Sequence, residues 1–322
     1  MRRDNAVDFV KAIGILLMIL GHCQGIPYLL RNFIFSFHMP LFFIMSGYFY
    51  KDKPIKELFK TGSKHLVVPY LITSLFIVLL CFVAQKPVLA QQKMIGILMS
   101  NGGWPQEKFG ANLPYIGPIW FLLALFWCKI FYRTLKRLTN KCLLVSTLLS
   151  SAAFIVGKYI LNLPFGLLTG FCGLVFYSMG DYWHNRLQEP IRLVYLLPGI
   201  VIWFFCIFRS HLELATFDCM HYPLNMIAAF IGTYMTYQVA QKIPKFLHAI
   251  FGWIGRNTLL ILCYHSLTPY LLINISKYML TPLGYSISVP IRWALNFALA
   301  LGLTALHLLI KETIRKRSAV GI

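Results

Sequence analysis

Charge, and negative charge above all, is what this chain has least of. Asp and Glu number 10 against 30 Lys and Arg, and charged residues make up 12% of 322 positions while 58% are hydrophobic. Soluble domains carry about 25% charged and roughly 45–50% apolar residues. A protein of this size has too little interior to hide so much apolar surface, so lipid must cover the remainder and the soluble globular classes are excluded. Metal-binding and disulfide cysteine spacing is also missing. The eight Cys form no CxxC pair, and most of them, such as Cys81, Cys128, Cys172, Cys206 and Cys263, sit inside apolar runs as small hydrophobes. That pattern gives neither a disulfide framework nor a metal centre. There is no internal repeat, no low-complexity tract and no appended soluble domain. No cleavable signal is expected either, because the first apolar run contains Asp8 and Lys11 and lacks a small-residue cleavage site. The net charge of +20 does not point to nucleic acid. The cations lie in short hydrophilic loops, not along one amphipathic face, as the positive-inside bias and attraction to anionic lipid headgroups require.

What the chain does have is long apolar runs. Ten of them, near 7–23, 33–50, 66–84, 116–133, 143–161, 166–183, 191–208, 222–240, 257–275 and 288–310, are long enough for transmembrane helices. The expected fold is therefore all-α: a polytopic integral membrane protein of about ten helices, forming one domain over 1–322 in the cell membrane. With the N-terminus cytoplasmic, the inside segments collect Arg2 and Arg3, then Lys51, Lys53, Lys56, Lys60 and Lys64, and later Arg133, Lys136, Arg137 and Lys141. Arg186, Arg192, Lys242, Lys245, Arg256 and the basic C-terminal stretch from Lys311 to Arg317 fall on the same side. Only Arg31, Lys86, Lys93, Lys108, Arg209 and Lys277 fall outside. This asymmetry predicts both termini inside and an even number of spans. The longest outside connection, about 85–115, contains Asn101-Gly102-Gly103-Trp104-Pro105 and Asn112-Leu113-Pro114, which read as loop. It is either a lid over a site or a plain connector.

Ionisable side chains at membrane depth are costly and usually face a cavity, so they mark where to look for chemistry. In the first run Asp8 and Lys11 are three apart and can meet as a partly neutralised pair. Lys11 and His22 are eleven apart, which at about 100° per residue puts them within roughly 20° on one face and about 16 Å apart along the axis. Gly14 and Gly21 leave room beside that face for close packing or a ligand. The plainer alternative is that Lys11 snorkels to the inner interface while His22 ends a helix. His38 opens the second run at the same depth as His22, and two imidazoles at one level form either an acid–base pair or two interfacial headgroup contacts. Further polar intruders are Trp120, Asp181, Asn225, Asn257, His265 and Asn296. His265, near mid-membrane, reads either as a binding group or as a buried His bonded to a neighbouring helix.

Taken in order, these residues resemble the membrane acyltransferase type 3 family, in particular its fucose 4-O-acetylase-like branch. Asp8 and Lys11 followed by His22 resemble the family's basic residue, ten-residue spacer and His on the first helix. Ser36-Phe37-His38-Met39-Pro40-Leu41-Phe42-Phe43 with Ser46-Gly47, Val67-Val68-Pro69-Tyr70, Ile119-Trp120-Phe121-Leu122 and Gly255-Arg256-Asn257-Thr258-Leu259 leading to His265 are similar to further stretches. The resemblance implies ten helices and transfer of an acyl group, usually acetyl from cytoplasmic acetyl-CoA, to a hydroxyl of an extracytoplasmic or lipid-linked sugar. It implies no permanently bound cofactor. It makes His22 essential and the basic partner at Lys11 important. On the residues themselves, His38 is expected as a catalytic partner that orients His22 or shuttles its proton, and Asp8, Trp120, Asn257 and His265 as candidate substrate or donor contacts. Lys11 departs from the commoner Arg and loses the forked guanidinium. Direct transfer and an acyl-His22 relay both stay open. The rival classes are a proton-coupled transporter or flippase of a glycan or lipid intermediate, against which the missing inverted repeat counts, and a membrane scaffold.

Overall fold

The computed structural model describes residues 5–102, 106–108, 111–160, 162–184, 186, 191–283 and 286–320. Arg2, Arg3 and the Gly103-Trp104-Pro105 stretch read above as loop lie outside the described residues. The chain is almost wholly helical. Its first seven helices are α1 (Asn5–Gly21), α2 (Tyr28–Phe35), α3 (His38–Tyr48), α4 (Ile55–Gly62), α5 (Val68–Val83), α6 (Pro87–Met99) and α7 (Trp120–Leu138). They are followed by α8 (Cys142–Tyr159), α9 (Leu167–Cys172), α10 (Leu174–Trp183) and α11 (Leu193–Arg209). The last four are α12 (Tyr222–Gln241), α13 (His248–Arg256), α14 (Thr258–Ile275) and α15 (Val289–Val320). Two antiparallel hairpins, Gln106–Lys108 with Ala111–Leu113 and Leu212–Glu213 with Asp218–Cys219, sit in the connections.

Among the described residues, five helical stretches are long and apolar enough to cross a membrane: Tyr28–Tyr48, Ile55–Val83, Cys142–Tyr159, Thr258–Leu283 and Val289–Ser318. Leu193–Arg209 is a shorter apolar helix. Helices also occupy the runs expected at 7–23, 116–133, 166–183 and 222–240. The outer surfaces are greasy. Along α5, Leu71, Ile72, Leu75, Phe76, Leu79 and Phe82 are all exposed, at the spacing of one helix face. An apolar surface of that extent is unsustainable in water and belongs against lipid, making this a multi-pass membrane protein.

The connection expected as loop over 85–115 instead begins with a helix. After a turn at Ala84 to Lys86, α6 doubles back along α5, and the Tyr70 hydroxyl donates to the Ile97 carbonyl at 2.7 Å. Pro87 starts α6, where its missing N–H leaves no internal bond unmade. The Gly and Asn residues that suggested a loop all fall after Ser100, whose left-handed backbone ends the helix.

Prolines shape the central helices. The ring of Pro40 cannot sit over the Ser36 carbonyl of a continuous helix, and the chain breaks there, between α2 and α3. Pro269 likewise removes the bond that would satisfy the His265 carbonyl; the Thr268 hydroxyl lies 2.8 Å from that oxygen and 2.8 Å from Asn296 Oδ1. The innermost helix is α1, packed against α3, α12, α13 and α14. Two close backbone crossings lock the interior. A methyl group on Gly255 would overlap the Asp8 carbonyl, fixing α13 against α1. Between α3 and α10, methyls on Gly47 and Gly180 would overlap the Tyr177 and Ile44 carbonyls, so the crossing is reciprocal. Gly180→Ala should therefore lower the stability of detergent-purified protein by about 1–3 kcal/mol, the usual scale of overpacking. Unchanged thermal unfolding of that variant would mean that the two helices cross more loosely.

Candidate functional site

Two cavities lie at opposite ends of α1. One stripe of that helix, Lys11, Ile15, Met18 and His22, runs from the first to the second at i, i+4, i+7 and i+11 spacing. The first three side chains line a cavity of about 490 Å³ at the N-terminal end, and His22 lines one of about 860 Å³ at the C-terminal end. Helix α14 repeats the arrangement. Thr258, Leu259 and Leu262 line the first cavity, while His265, Ser266 and Pro269 line the second. The wall between the cavities is therefore about one helical turn thick, roughly 5 Å, on both helices.

The second cavity gathers the histidines. The His22 ring is 6.5 Å from that of His38 and 5.9 Å from that of His265, centroid to centroid. His22 Nδ1 lies 2.8 Å from the Met18 carbonyl, and His38 Nδ1 lies 2.9 Å from the Ile34 carbonyl. A carbonyl only accepts, so Nδ1 carries the proton in each ring and Nε2 keeps its lone pair. His22 is open to the cavity, whereas His38 is buried behind it against Phe35. His38 Nε2 and His265 Nδ1 have no hydrogen-bond partner among the described residues. The His265 ring faces His22 at the cavity wall.

The first cavity is cationic above an apolar floor. Lys11, Lys51, Lys53, Lys129 and His65 line it together with Ile15, Met18, Met39, Phe42, Met45 and Leu262, and no Asp or Glu is among the lining residues. Asp8, buried, stands 3.8 Å from Lys11 Nζ, and the ammonium lies 5.5 Å from the centre of the Phe49 ring. Lys129 went unrecognised in the sequence; the available signal was a lone lysine inside the apolar run 116–133. Gly14 packs against Leu41 and Phe42, while Gly21 packs against Ile34 and Phe35 and also lines the second cavity.

The remaining candidates stand further off. Trp120 is buried against Gly102 and Phe121 and lines neither cavity. Asn257 ends α13, donating to the Trp253 carbonyl at 2.8 Å, and contributes to the first cavity only through its neighbour Thr258. Asp181 binds Tyr132 at 2.6 Å and also Lys136, and Asn225 donates to the Ser210 hydroxyl at 2.7 Å, so both serve structure. No group of three or more His, Cys, Asp or Glu among the described residues could hold a metal ion.

Known proteins bear on this arrangement. A family model described as an acyltransferase domain matches residues 4–309, nearly the whole chain. Nodulation protein NolL of Mesorhizobium japonicum is 29% identical over 145 residues. That match covers 41% of this chain and 36% of NolL, so it spans little more than a third of the relative's length. No solved structure matches.

The His22 tautomer is directly measurable. In ¹⁵N spectra of protein labelled at histidine, the signals absent from His22→Ala should be those of a ring protonated at Nδ1 and bare at Nε2. An Nε2-protonated ring would remove the lone pair from the cavity.

Proposed function

This chain belongs to the acyltransferase-domain family whose model it matches over residues 4–309; on that premise we propose that it is an acyltransferase that moves an acetyl group from cytoplasmic acetyl-CoA to a sugar hydroxyl across the membrane. The observation that carries the reading is the wall one turn thick between a cationic cavity and a histidine-lined one. Acyl-CoA carries phosphates at one end of a thin flexible arm and a thioester at the other. Lys11, Lys51, Lys53 and Lys129 supply the counter-charge that phosphates need, and methionines and leucines make a pliant apolar bed for the arm. The basic loops favour ten spans with both termini in the cytoplasm, which puts the first cavity on the donor side and steers an anionic donor toward it. Acetyl as the transferred group follows from the resemblance to the fucose 4-O-acetylase-like branch.

The acceptor enters the second cavity. His22 Nε2 takes the proton of the sugar hydroxyl as its oxygen attacks the thioester carbonyl. The carbon–sulfur bond breaks, and the imidazolium returns the proton to the departing thiolate, so protons and electrons balance. The Met18 carbonyl fixes the tautomer and orientation of the base throughout. His38, packed behind with its own Nδ1 anchored, is a positioning residue, and His265 orients the hydroxyl from the opposite wall. The donor arm passes the single turn between the cavities, so that thioester and hydroxyl meet at His22 in a fixed pose and not by chance encounter.

Proteoliposomes with radiolabelled acetyl-CoA and membrane glycan test the scheme. His22→Ala should cut transfer by about 10²–10⁴-fold, the range of a lost general base, with folding intact. Full activity in folded His22→Ala would end the proposal. Lys11→Ala and Lys129→Ala should raise the donor KM about tenfold while leaving kcat near its starting value, the mark of lost ground-state binding. An unchanged donor KM in both variants would take the donor out of the first cavity.

A further inference from the structure

The second cavity is more strongly cationic than a neutral sugar requires. Arg31, Lys86, Lys277 and Arg292 line it, and Glu213 is the one carboxylate among its lining residues. Glu213 is already engaged, 3.2 Å from Arg31. The other three have no carboxylate partner among the described residues. Lys277 donates to the Ala84 carbonyl at 2.9 Å and Gln85 Oε1 at 2.8 Å, and Arg292 donates to Gln24 Oε1 at 2.7 Å. These neutral groups position the cations without cancelling them. Arg292 Nε is buried and has no hydrogen-bond partner among the described residues.

A second observation comes from behind the wall. Lys93 on α6 is fully buried. Its ammonium donates to the Tyr115 carbonyl at 2.9 Å and stands 3.2 Å from the centre of the Tyr115 ring and 5.7 Å from that of Tyr270. Both tyrosines line the cavity, and no carboxylate pairs with Lys93 among the described residues. Burial lowers the Lys93 ammonium from its ordinary value to about 7, so near neutral pH it adds only part of a charge to the potential behind the wall. Three cations without carboxylate partners among the described residues, Lys86, Lys277 and Arg292, therefore line one space.

We propose that the second cavity binds an acceptor carrying an oxyanion, with Arg292, Lys86 and Lys277 holding that group while the reactive hydroxyl lies at His22. The oxyanion is either the carboxylate of an acidic sugar or the phosphate that joins a sugar to its carrier. This inference rests on the proposed function only for the word acceptor, since binding of an anion can be read without any transfer.

Purified protein in nanodiscs of uncharged phosphatidylcholine would be titrated with three probes, methyl glucoside, methyl glucuronide and glucose 1-phosphate, following the thermal unfolding midpoint. At least one anionic probe should bind about tenfold or more tightly than the neutral one, the scale of one charge-assisted hydrogen bond. Preference for the glucuronide assigns the charge to the sugar, and preference for the phosphate assigns it to the carrier linkage. The advantage should shrink with added salt and disappear in Arg292→Gln and Lys86→Gln, while stabilisation by acetyl-CoA persists. Equal binding of all three probes to the unmodified protein would overturn the proposal, with no variant needed. So would anion binding that survives both substitutions. Loss of acetyl-CoA turnover with retained anion preference would instead count against the proposed function alone.

Discussion

A single hydrogen bond, from His22 Nδ1 to the carbonyl of Met18, is the contact on which the rest of this site depends. A bilayer interior supplies no water to an unpaired polar group, so each ring nitrogen at depth must find a protein partner or a cavity. His22 does both at once: one nitrogen is anchored to the backbone of its own helix and the other opens into a space of about 860 Å³. In the proposed mechanism that division makes a base out of an ordinary imidazole. It also ties the base to the wall between the cavities, because the anchoring carbonyl belongs to the residue whose side chain lines the other side. Under the proposed function, orientation of the base and division of the donor space from the acceptor space are both achieved by one turn of one helix.

Much of this was legible in the residues because it is local to one helix. Lys11 and His22 on a common face follow from an eleven-residue spacing, and the break that brings His38 level with His22 is announced by Pro40. Apolar runs likewise mark where helices lie, and the order of motifs leads to the acyltransferase family that the chain matches over residues 4–309. What could not be read depends on contacts between distant segments. The turn of His265 toward His22 requires α14 to pack on α1, and the His265 carbonyl, freed by Pro269, to find the Thr268 hydroxyl. The burial of Lys93 requires α6 to fold back along α5, and the Gly and Asn residues nearby masked that helix. Trp120 and Asn257 matched motif positions, yet their side chains are spent on packing and on ending a helix, roles that the same residues would fill in any membrane bundle.

The two cavities also differ in how their charge is held. In the first, lysines stand over an apolar floor of methionine and leucine, suited to a ligand with a charged head and a slender tail. In the second, Arg31, Lys277 and Arg292 are each fixed by a hydrogen bond or ion pair to a neighbouring segment, suited to a rigid ligand met at several points. In the proposed scheme the apolar floor lets a slender donor slide, while the anchored cations of the second cavity define the pose of an acceptor whose hydroxyl faces His22.

A barrier one helical turn thick has a consequence for the cell that houses it. Were both cavities to fill with water and merge, protons would run down the gradient that the membrane exists to hold. Under the proposed function, Met18 and Leu262, which line the first cavity at the wall, are the side chains that would seal it whenever no ligand is bound. Their bulk sets a compromise: large enough to keep ions apart, yet compliant enough to yield to a thread of sulfur and methylene.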